Sequence, residues 1–591
     1  RTPQVLYPGY HELSLARQEA WPAELRFWGT ALSLGGSGRW ELLVLDGHEM
    51  SEMIVARDEL VTVVRGLPTG EHRLWLQPAD PDASLKIAVW REQPPWLPPQ
   101  SLAALAAIAL LATSLLWRLL RPYPWREWAG RVIGAYRQLS PWAVFALAAG
   151  ALALLALAPN AGLSLLALGA VAALVLLRLE AGLMLAVFLV PLAPLLKRFG
   201  PLHFSYLEIV TLLTVAGYLQ REVRVLGQLR SEQGLVRALS QRITQAWHGI
   251  DALDAGFALL LAASALSLAA SEWLRVSLRE LRVVILQAVF LYWLVTRGRL
   301  DREDVLRLVD ILILSAVFVG LQGLFQYIWT GRVVVAEGVR RVRGIYGSPN
   351  NLALVLGRLF PVMLAMVLRG PPGRRRWAYG LAAIPTAACL FLSFSRGAWL
   401  FGVPASLLVL GLLAGRRARI VAVGLAIAFL LILMPLAETK RLSSLFSLEV
   451  TILLRLKLWE AAWEMACDHP LFGIGLDNFL YHYPRYIRPE ALSEPNLSHP
   501  HNVVLDFWLR LGVPGLLAFA WLQWSFFRRG ATVLRQRLDP GFLALTIGLL
   551  AGMANMLAHG LVDASFFVVE LAGLFALLVA FLRCAGQLAA S

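Results

Sequence analysis

From about residue 100 to the C-terminus the chain alternates long apolar runs with short polar connectors. An apolar run of roughly 18 or more residues reads as a membrane-spanning helix. Such runs lie near 101–120, 141–158, 160–178, 180–196, 204–220, 255–270, 277–296, 305–329, 350–368, 377–394, 397–414, 419–436, 502–527, 541–558 and 565–583, which makes about fifteen. Two pairs, 160–178 with 180–196 and 377–394 with 397–414, read as tight hairpins. Residues 1–96 have a different period. Glu24–Leu34, Arg39–Leu45, Glu59–Val64, His72–Gln77 and Leu85–Trp90 read as short strands, with alternation plain in Arg39–Leu45. Turn signals at Gly35-Gly36, Asp46-Gly47 and Pro68-Thr69-Gly70 separate them, so this segment is expected to form a small all-β, sandwich-like domain. A proline-rich hinge follows at Pro94–Pro99.

Composition supports this division. Of the 591 residues, 58% are hydrophobic and 16% charged, against roughly 25% charged in a soluble chain. Soluble domains could not bury so much apolar surface. Disorder and collagen-like repeats are excluded, and three cysteines leave no room for a disulfide framework. The expected fold class is a polytopic α-helical membrane protein with an N-terminal β domain. Its expected parts are a β domain (1–96), a first set of membrane helices (97–436), a long loop (437–501) and C-terminal membrane helices (502–591).

Charge then orients the chain. Lys and Arg number 54 against 39 Asp and Glu, a net of +15. In a soluble protein this would point to nucleic acid; among membrane helices it points to cytoplasmic connectors that obey the positive-inside rule. The connectors Arg118–Arg137, Arg221–Arg242, Arg297–Arg307, Arg369–Arg376, Arg416–Arg419 and Arg528–Arg537 all fall on one side of the span map, taken as cytoplasmic. The β domain and the loop 437–501 then lie outside. The chain begins with Arg1, and an outer N-terminal domain calls for a signal peptide or an earlier helix.

Two outer segments break the rule. Gly331–Pro349 carries Arg332, Arg340, Arg341 and Arg343, and the long loop carries Arg441, Arg455, Arg485 and Arg488. Five short motifs share this outer side. They are Arg340–Asn351, in which Asn350 or Asn351 could cap the next helix; Ser393-Phe394-Ser395-Arg396-Gly397; Arg455 on an amphipathic helix Thr451–Trp463; Gly473–Phe479; and His499-Pro500-His501-Asn502. Gly473-Ile474-Gly475 lacks a preceding strand, so it is no dinucleotide fingerprint.

These motifs, in this order, resemble the O-antigen ligase and polymerase superfamily of bacterial membrane glycosyltransferases. The resemblance spans roughly residues 340–585 and rests on Arg343 with Gly344–Asn351, Ser395-Arg396-Gly397, Arg455–Trp459, Pro470 with Gly473–Phe479, His501-Asn502 with Leu511-Gly512, and Leu561-Val562-Asp563. It implies a helical bundle of the GT-C-like kind. It also implies transfer of a glycan from an undecaprenyl-diphosphate carrier to an acceptor hydroxyl of a lipid, glycan or protein, at the outer face of the bacterial cytoplasmic membrane. No nucleotide sugar or cofactor is implied. Arg343, Arg396 and Arg455 would hold the diphosphate and His501 would serve as catalytic base, with Arg340, Arg341, His499 and Asp477 as secondary candidates.

The chemistry of the residues runs parallel. A diphosphate leaving group needs guanidinium groups or a divalent metal. Arg suits it through its planar, permanently charged fork, and the outer carboxylates form no DxD-like pair. No metal ligands are therefore expected, nor a nucleic-acid partner. The acceptor hydroxyl needs a base working near neutral pH, for which His is usual. One displacement without a covalent intermediate implies inversion at the anomeric carbon. Several alternatives stand beside the ligase: a polysaccharide polymerase on the same donor, a peptidoglycan-type polymerase resting on Asp477, and a transporter or flippase. The last would want charges in mid-span, where Arg358 and Glu570 are the main ones.

Overall fold

The computed structural model describes residues 125–199, 202–336, 338–436, 449–491 and 497–590, together with eight strands between Val5 and Trp90. The chain divides into two compact units, Arg1–Tyr123 and Pro124–Ser591. The Pro94–Pro99 hinge, the run 101–120, and residues 437–448 and 492–496 of the long loop lie outside the described residues.

In the first unit the strands form one hydrogen-bonded sheet. Strand Ala23–Ser37 pairs with Val61–Pro78 on one side and with Ser84–Trp90 on the other, both antiparallel. Strand Arg39–Leu45 has the predicted bounds. Two expected turns are absent. Gly35 and Gly36 lie within the long strand, paired with Lys86 and Leu85. The segments expected as Glu59–Val64 and His72–Gln77 belong to a single strand, Val61–Pro78. The register passes from Arg65↔Ala31 to Gly70↔Gly29, so Pro68-Thr69 swells a bulge opposite Thr30 instead of reversing the chain. A bulge is one of the few places where a sheet tolerates proline.

The second unit is helical, and helices occupy every predicted apolar run among the described residues. Eight of them frame the outer motifs: α1 (Ala252–Ser267), α2 (Arg302–Phe325), α3 (Pro349–Arg369), α4 (Arg374–Leu392), α5 (Glu449–Asp468), α6 (Val503–Leu534), α7 (Pro540–Gly560) and α8 (Val569–Ala590). Local chemistry sets their starts. Asp251 and Asp301 make capping boxes with Asp254 and Asp304. Ser348 and Asp539 cap α3 and α7, each followed by proline in the first helical position. Neither asparagine caps α3: the Ser348 hydroxyl accepts from Asn351 N at 3.1 Å, which leaves the Asn350 side chain free to point elsewhere.

Six described helices are long and apolar enough to cross a membrane, or up to eight if each bent pair is one span, which makes this a polytopic helical protein. One bent pair is the predicted hairpin 160–178/180–196, broken by 119° between Leu177 and Leu179. The second of its helices stops at Leu189 and gives way to a short antiparallel hairpin, Leu196–Phe199 with Leu202–Ser205. Helix α8 is the hub of the bundle, 94% buried over its most apolar window; α3 packs along α7, and α6 along α1.

Helix α6 is broken one-third of the way along. Gly512 has φ 66° and ψ −164°, which frees backbone groups that the segment Pro470–Ile474 takes up. Ile474 N donates to Leu509 O at 2.7 Å, and Val513 N donates to Pro470 O at 3.0 Å. At Gly512 a Cβ would collide with the Leu471 carbonyl, and the φ itself disfavours any L side chain. Replacing Gly512 by Ala is therefore expected to cost about 3 kcal/mol from strain and collision combined. Thermal unfolding in detergent measures this, with Gly130→Ala, whose position is open, as the unaffected reference.

Candidate functional site

Four of the five outer motifs connect, directly or through one neighbour, to the carboxylate of Asp563, which lies buried in the connector between α7 and α8. Its Oδ1 lies 2.9 Å from His501 Nδ1 and also accepts from Ala564 N. Its Oδ2 accepts from Asn350 Nδ2 at 2.8 Å and faces His559 Nε2 at 4.0 Å. Burial raises the Asp563 pKa, but the hydrogen bond and attraction of His501 outweigh it and hold the carboxyl well below the usual carboxylate range. An ionised carboxylate can only accept, so His501 Nδ1 carries the proton and donates. In the neutral imidazole Nε2 is then the free lone pair.

The backbone aims His501. Its φ of 50° is left-handed, a conformation that costs a non-glycine residue about 1–3 kcal/mol and persists where surrounding structure enforces it. The enforcing contacts flank it. Trp459 Nε1 of α5 donates to Pro500 O at 3.1 Å, and Asn502 caps α6 while its Nδ2 donates to Leu561 O at 3.1 Å. Of the four described non-glycine residues with positive φ, three stand in the outer motifs: Phe394, Asp477 and His501.

Arg341 binds the other motifs to this center. It closes the short hairpin Val334–Ala336/Val339–Arg341, and its buried guanidinium donates to Ser393 O and to Asn350 Oδ1, each at 2.9 Å. A chain of contacts thus runs Arg341–Asn350–Asp563–His501. Arg455 of α5 donates to the Val562 carbonyl beside Asp563. Arg396 is half-buried in the turn after Phe394. In that turn a Cβ on Gly397 would meet His559 Nε2 at 2.6 Å, so glycine is what lets His559 sit under the turn, 3.5 Å from Ser395 Oγ. Arg343 is half-buried at the turn before α3, and among the described residues its guanidinium makes no hydrogen bond or ion pair. It is available for an anion.

Two secondary candidates lie apart from this center. Arg340 is exposed, donating to Tyr327 O at 2.9 Å and stacked over the Tyr327 ring. Asp477 lies 3.6 Å from Arg510 in a buried ion cluster. There Arg510 Nη1 donates to both Glu280 oxygens at 2.6 and 2.7 Å, and its Nε to Asp506 Oδ1 at 2.7 Å. Arg510 Nη2 reaches Ser498 O at 3.3 Å, so the cluster braces the strand of loop that carries His499 and His501. Asn478 pins the same loop to Ser271 and Ser277. The Gly473–Phe479 motif therefore builds the wall of the site.

His499 packs edge-on against His501, ring centers 4.3 Å apart, with Ser498 Oγ 3.0 Å from its Nδ1. Together with His501 and Asp563 it forms a group whose three ligand atoms lie within 4.8 Å of one another, able to hold a metal ion. Sequence spacing does not single out Asn350 as a bridge, His559, or the Arg510–Glu280–Asp506 cluster, and for Asp563 it favours capping or packing over a functional role.

Burial, with His501 as the next cause, pushes the His499 pKa from 6.5 down to about 3. Between those two values the unfolded chain binds a proton that the folded chain refuses, so stability falls as the pH drops from 6.5 towards 3. In urea titrations of His499→Gln across this range, the loss on acidification should be smaller than in the unchanged protein.

Comparison with known proteins accords with the geometry. A family model described as O-antigen ligase matches residues 381–520, a stretch that includes Arg396, Arg455, His501 and Arg510. No curated protein matches the chain. The match suggests a glycosyltransferase-like membrane enzyme of the ligase or polymerase kind acting on lipid-linked glycan. Residues 381–520 match the O-antigen ligase family, and this part of the chain is therefore similar to the O-antigen ligase superfamily.

Proposed function

We propose that the protein transfers a glycan from an undecaprenyl-diphosphate carrier to an acceptor hydroxyl at the outer face of the bacterial cytoplasmic membrane. The observation that carries this reading is the His501–Asp563 pair, 2.9 Å apart, at the meeting point of the arginine-bearing outer motifs. In the proposed reaction His501 Nε2 takes the proton of the acceptor hydroxyl as its oxygen attacks the anomeric carbon. Asp563 holds the imidazole in the needed tautomer and stabilises the imidazolium that forms, the role carboxylates play beside catalytic histidines. The glycosidic bond to the carrier breaks, and the diphosphate leaves with its charge met by Arg343, Arg396 and Arg455. One displacement inverts the anomeric carbon, and the chemistry runs without a metal.

The topology proposed with it has about fifteen spans, arginine-rich connectors in the cytoplasm, and both the N-terminal strands and the loop 437–501 outside. A polymerase, which passes the glycan to another lipid-linked unit, is the second reading. It shares the donor half of the site and differs only in the acceptor. Asp477, the carboxylate on which a peptidoglycan-type polymerase would rest, sits beside Arg510, which favours a structural role for it.

His501→Ala is expected to lower transfer by about 10²–10⁴-fold, and Asp563→Asn by a comparable factor through the wrong tautomer. Arg396→Ala should weaken use of the donor. Profiling lipid-linked and mature glycans in a host carrying each variant measures this; unchanged glycans in His501→Ala and Arg396→Ala would refute the reading. Accumulated long chains on the carrier mark a ligase, and accumulated single units a polymerase. Activity should persist in chelator, and the product anomer should be inverted.

A further inference from the structure

The group His499, His501 and Asp563 has a second chemical capacity that base catalysis does not use. Two imidazoles and a carboxylate, with ligand atoms within 4.8 Å of one another, are a donor set for a borderline divalent ion such as Zn²⁺ or Co²⁺, with a position left open. Magnesium, which prefers six oxygens and holds its water, is poorly served by two imidazoles. The surroundings brace the set. Asn350 fixes the second Asp563 oxygen, and Arg510 and Trp459 hold the backbone at Ser498 and Pro500 on either side of His499. The arginines around the set are engaged elsewhere: Arg341 with Ser393 and Asn350, Arg455 with the Val562 carbonyl, and Arg510 with Glu280 and Asp506.

We infer that this group is a binding site for Zn²⁺ or a similar ion, and that occupancy blocks His501 as a base. The atom of His501 that faces Asp563 is Nδ1. An ion entering between them takes the Nδ1 lone pair, so the proton that Nδ1 carried moves through solvent to Nε2. No proton is gained or lost, but the Nε2 lone pair that would receive the acceptor's proton is gone. Metal binding stands on the geometry alone; the inhibitory effect rests on the proposed role of His501.

The test uses the full chain purified in detergent, with Co²⁺ as the visible probe. One Co²⁺ per chain should bind with a ligand-field spectrum of mixed nitrogen and oxygen donors, be displaced by Zn²⁺, and be indifferent to excess Mg²⁺. His499→Ala and the shape-conserving His499→Gln should each weaken binding by about 10-fold or more, with thermal melting checking that both variants fold. His482→Ala, in the separate outer group with Glu272, should leave it unchanged. Absence of stoichiometric Co²⁺, or equal binding by the His499 variants, would overturn the site. In a transfer assay Zn²⁺ should inhibit the unchanged protein and inhibit His499→Gln less. Equal inhibition of both would overturn the switch, whereas Co²⁺ binding without any transfer activity would overturn the transferase reading and leave the metal site standing.

Discussion

The carboxylate of Asp563 is the point on which the half of the bundle that carries these motifs closes. Four separate stretches of chain reach it: the start of α3 through Asn350, the entry to α6 through His501, the end of α7 through His559, and its own connector through Ala564 N. A buried carboxylate is costly unless each lone pair finds a donor, so these stretches are held in one arrangement by its need for partners. The same need sets the tautomer of His501. Fold and the proposed chemistry share a single constraint: the group that fixes the tautomer His501 needs to act as a base in the proposed reaction is the one that fastens the helices around it.

A second ion cluster does the equivalent work without chemistry. Arg510 lies between Glu280 and Asp506, with Asp477 at its edge, and its fourth contact is the Ser498 carbonyl. Removing one member of such a cluster strands the others without compensation. Deeper in the bundle, Arg358 donates to Leu571 O at 2.8 Å and to Ser565, tying α3 to the start of α8. Arg510 and Arg358 thus serve as joints between helices and loop. This is a different use from the ion path that a transporter would make of mid-span charge.

Much of the fold was legible because a membrane imposes a coarse code. Runs such as 350–368 and 541–558 must be helical, since backbone groups in lipid have no other partners, and they are helices in the structure. The code fails where tertiary pairing overrides local signals. Pro68-Thr69-Gly70 looks like a turn until its strand neighbour offers Thr30 for it to bulge against, and the helix of the 180–196 run ends early at Leu189, where a turn holding Pro191 and Pro194 leads into the hairpin of Leu196–Phe199 with Leu202–Ser205. The site was half legible. The arginines stand out because cations on a face expected to be outer break the topology rule, and His501 because a histidine opening a helix on that face suits a base. Asn350, His559 and Asp563 do not: asparagine before a helix looks like a cap, and a histidine or aspartate at a helix end looks like ordinary packing. Their importance lies in being near one another across some two hundred residues of chain, as in the Asn350–Asp563 bond, and sequence spacing carries no trace of that.

The interrupted ladder of α6 bears on which parts of the site can move. Pro470–Ile474 completes the backbone hydrogen bonding that Gly512 leaves open, so the root of the outer connection is woven into a membrane helix. To swing it away would break that ladder from both sides. The segment Pro470–Ile474 therefore moves only together with α6, and any opening of the site falls to stretches that carry no such ladder.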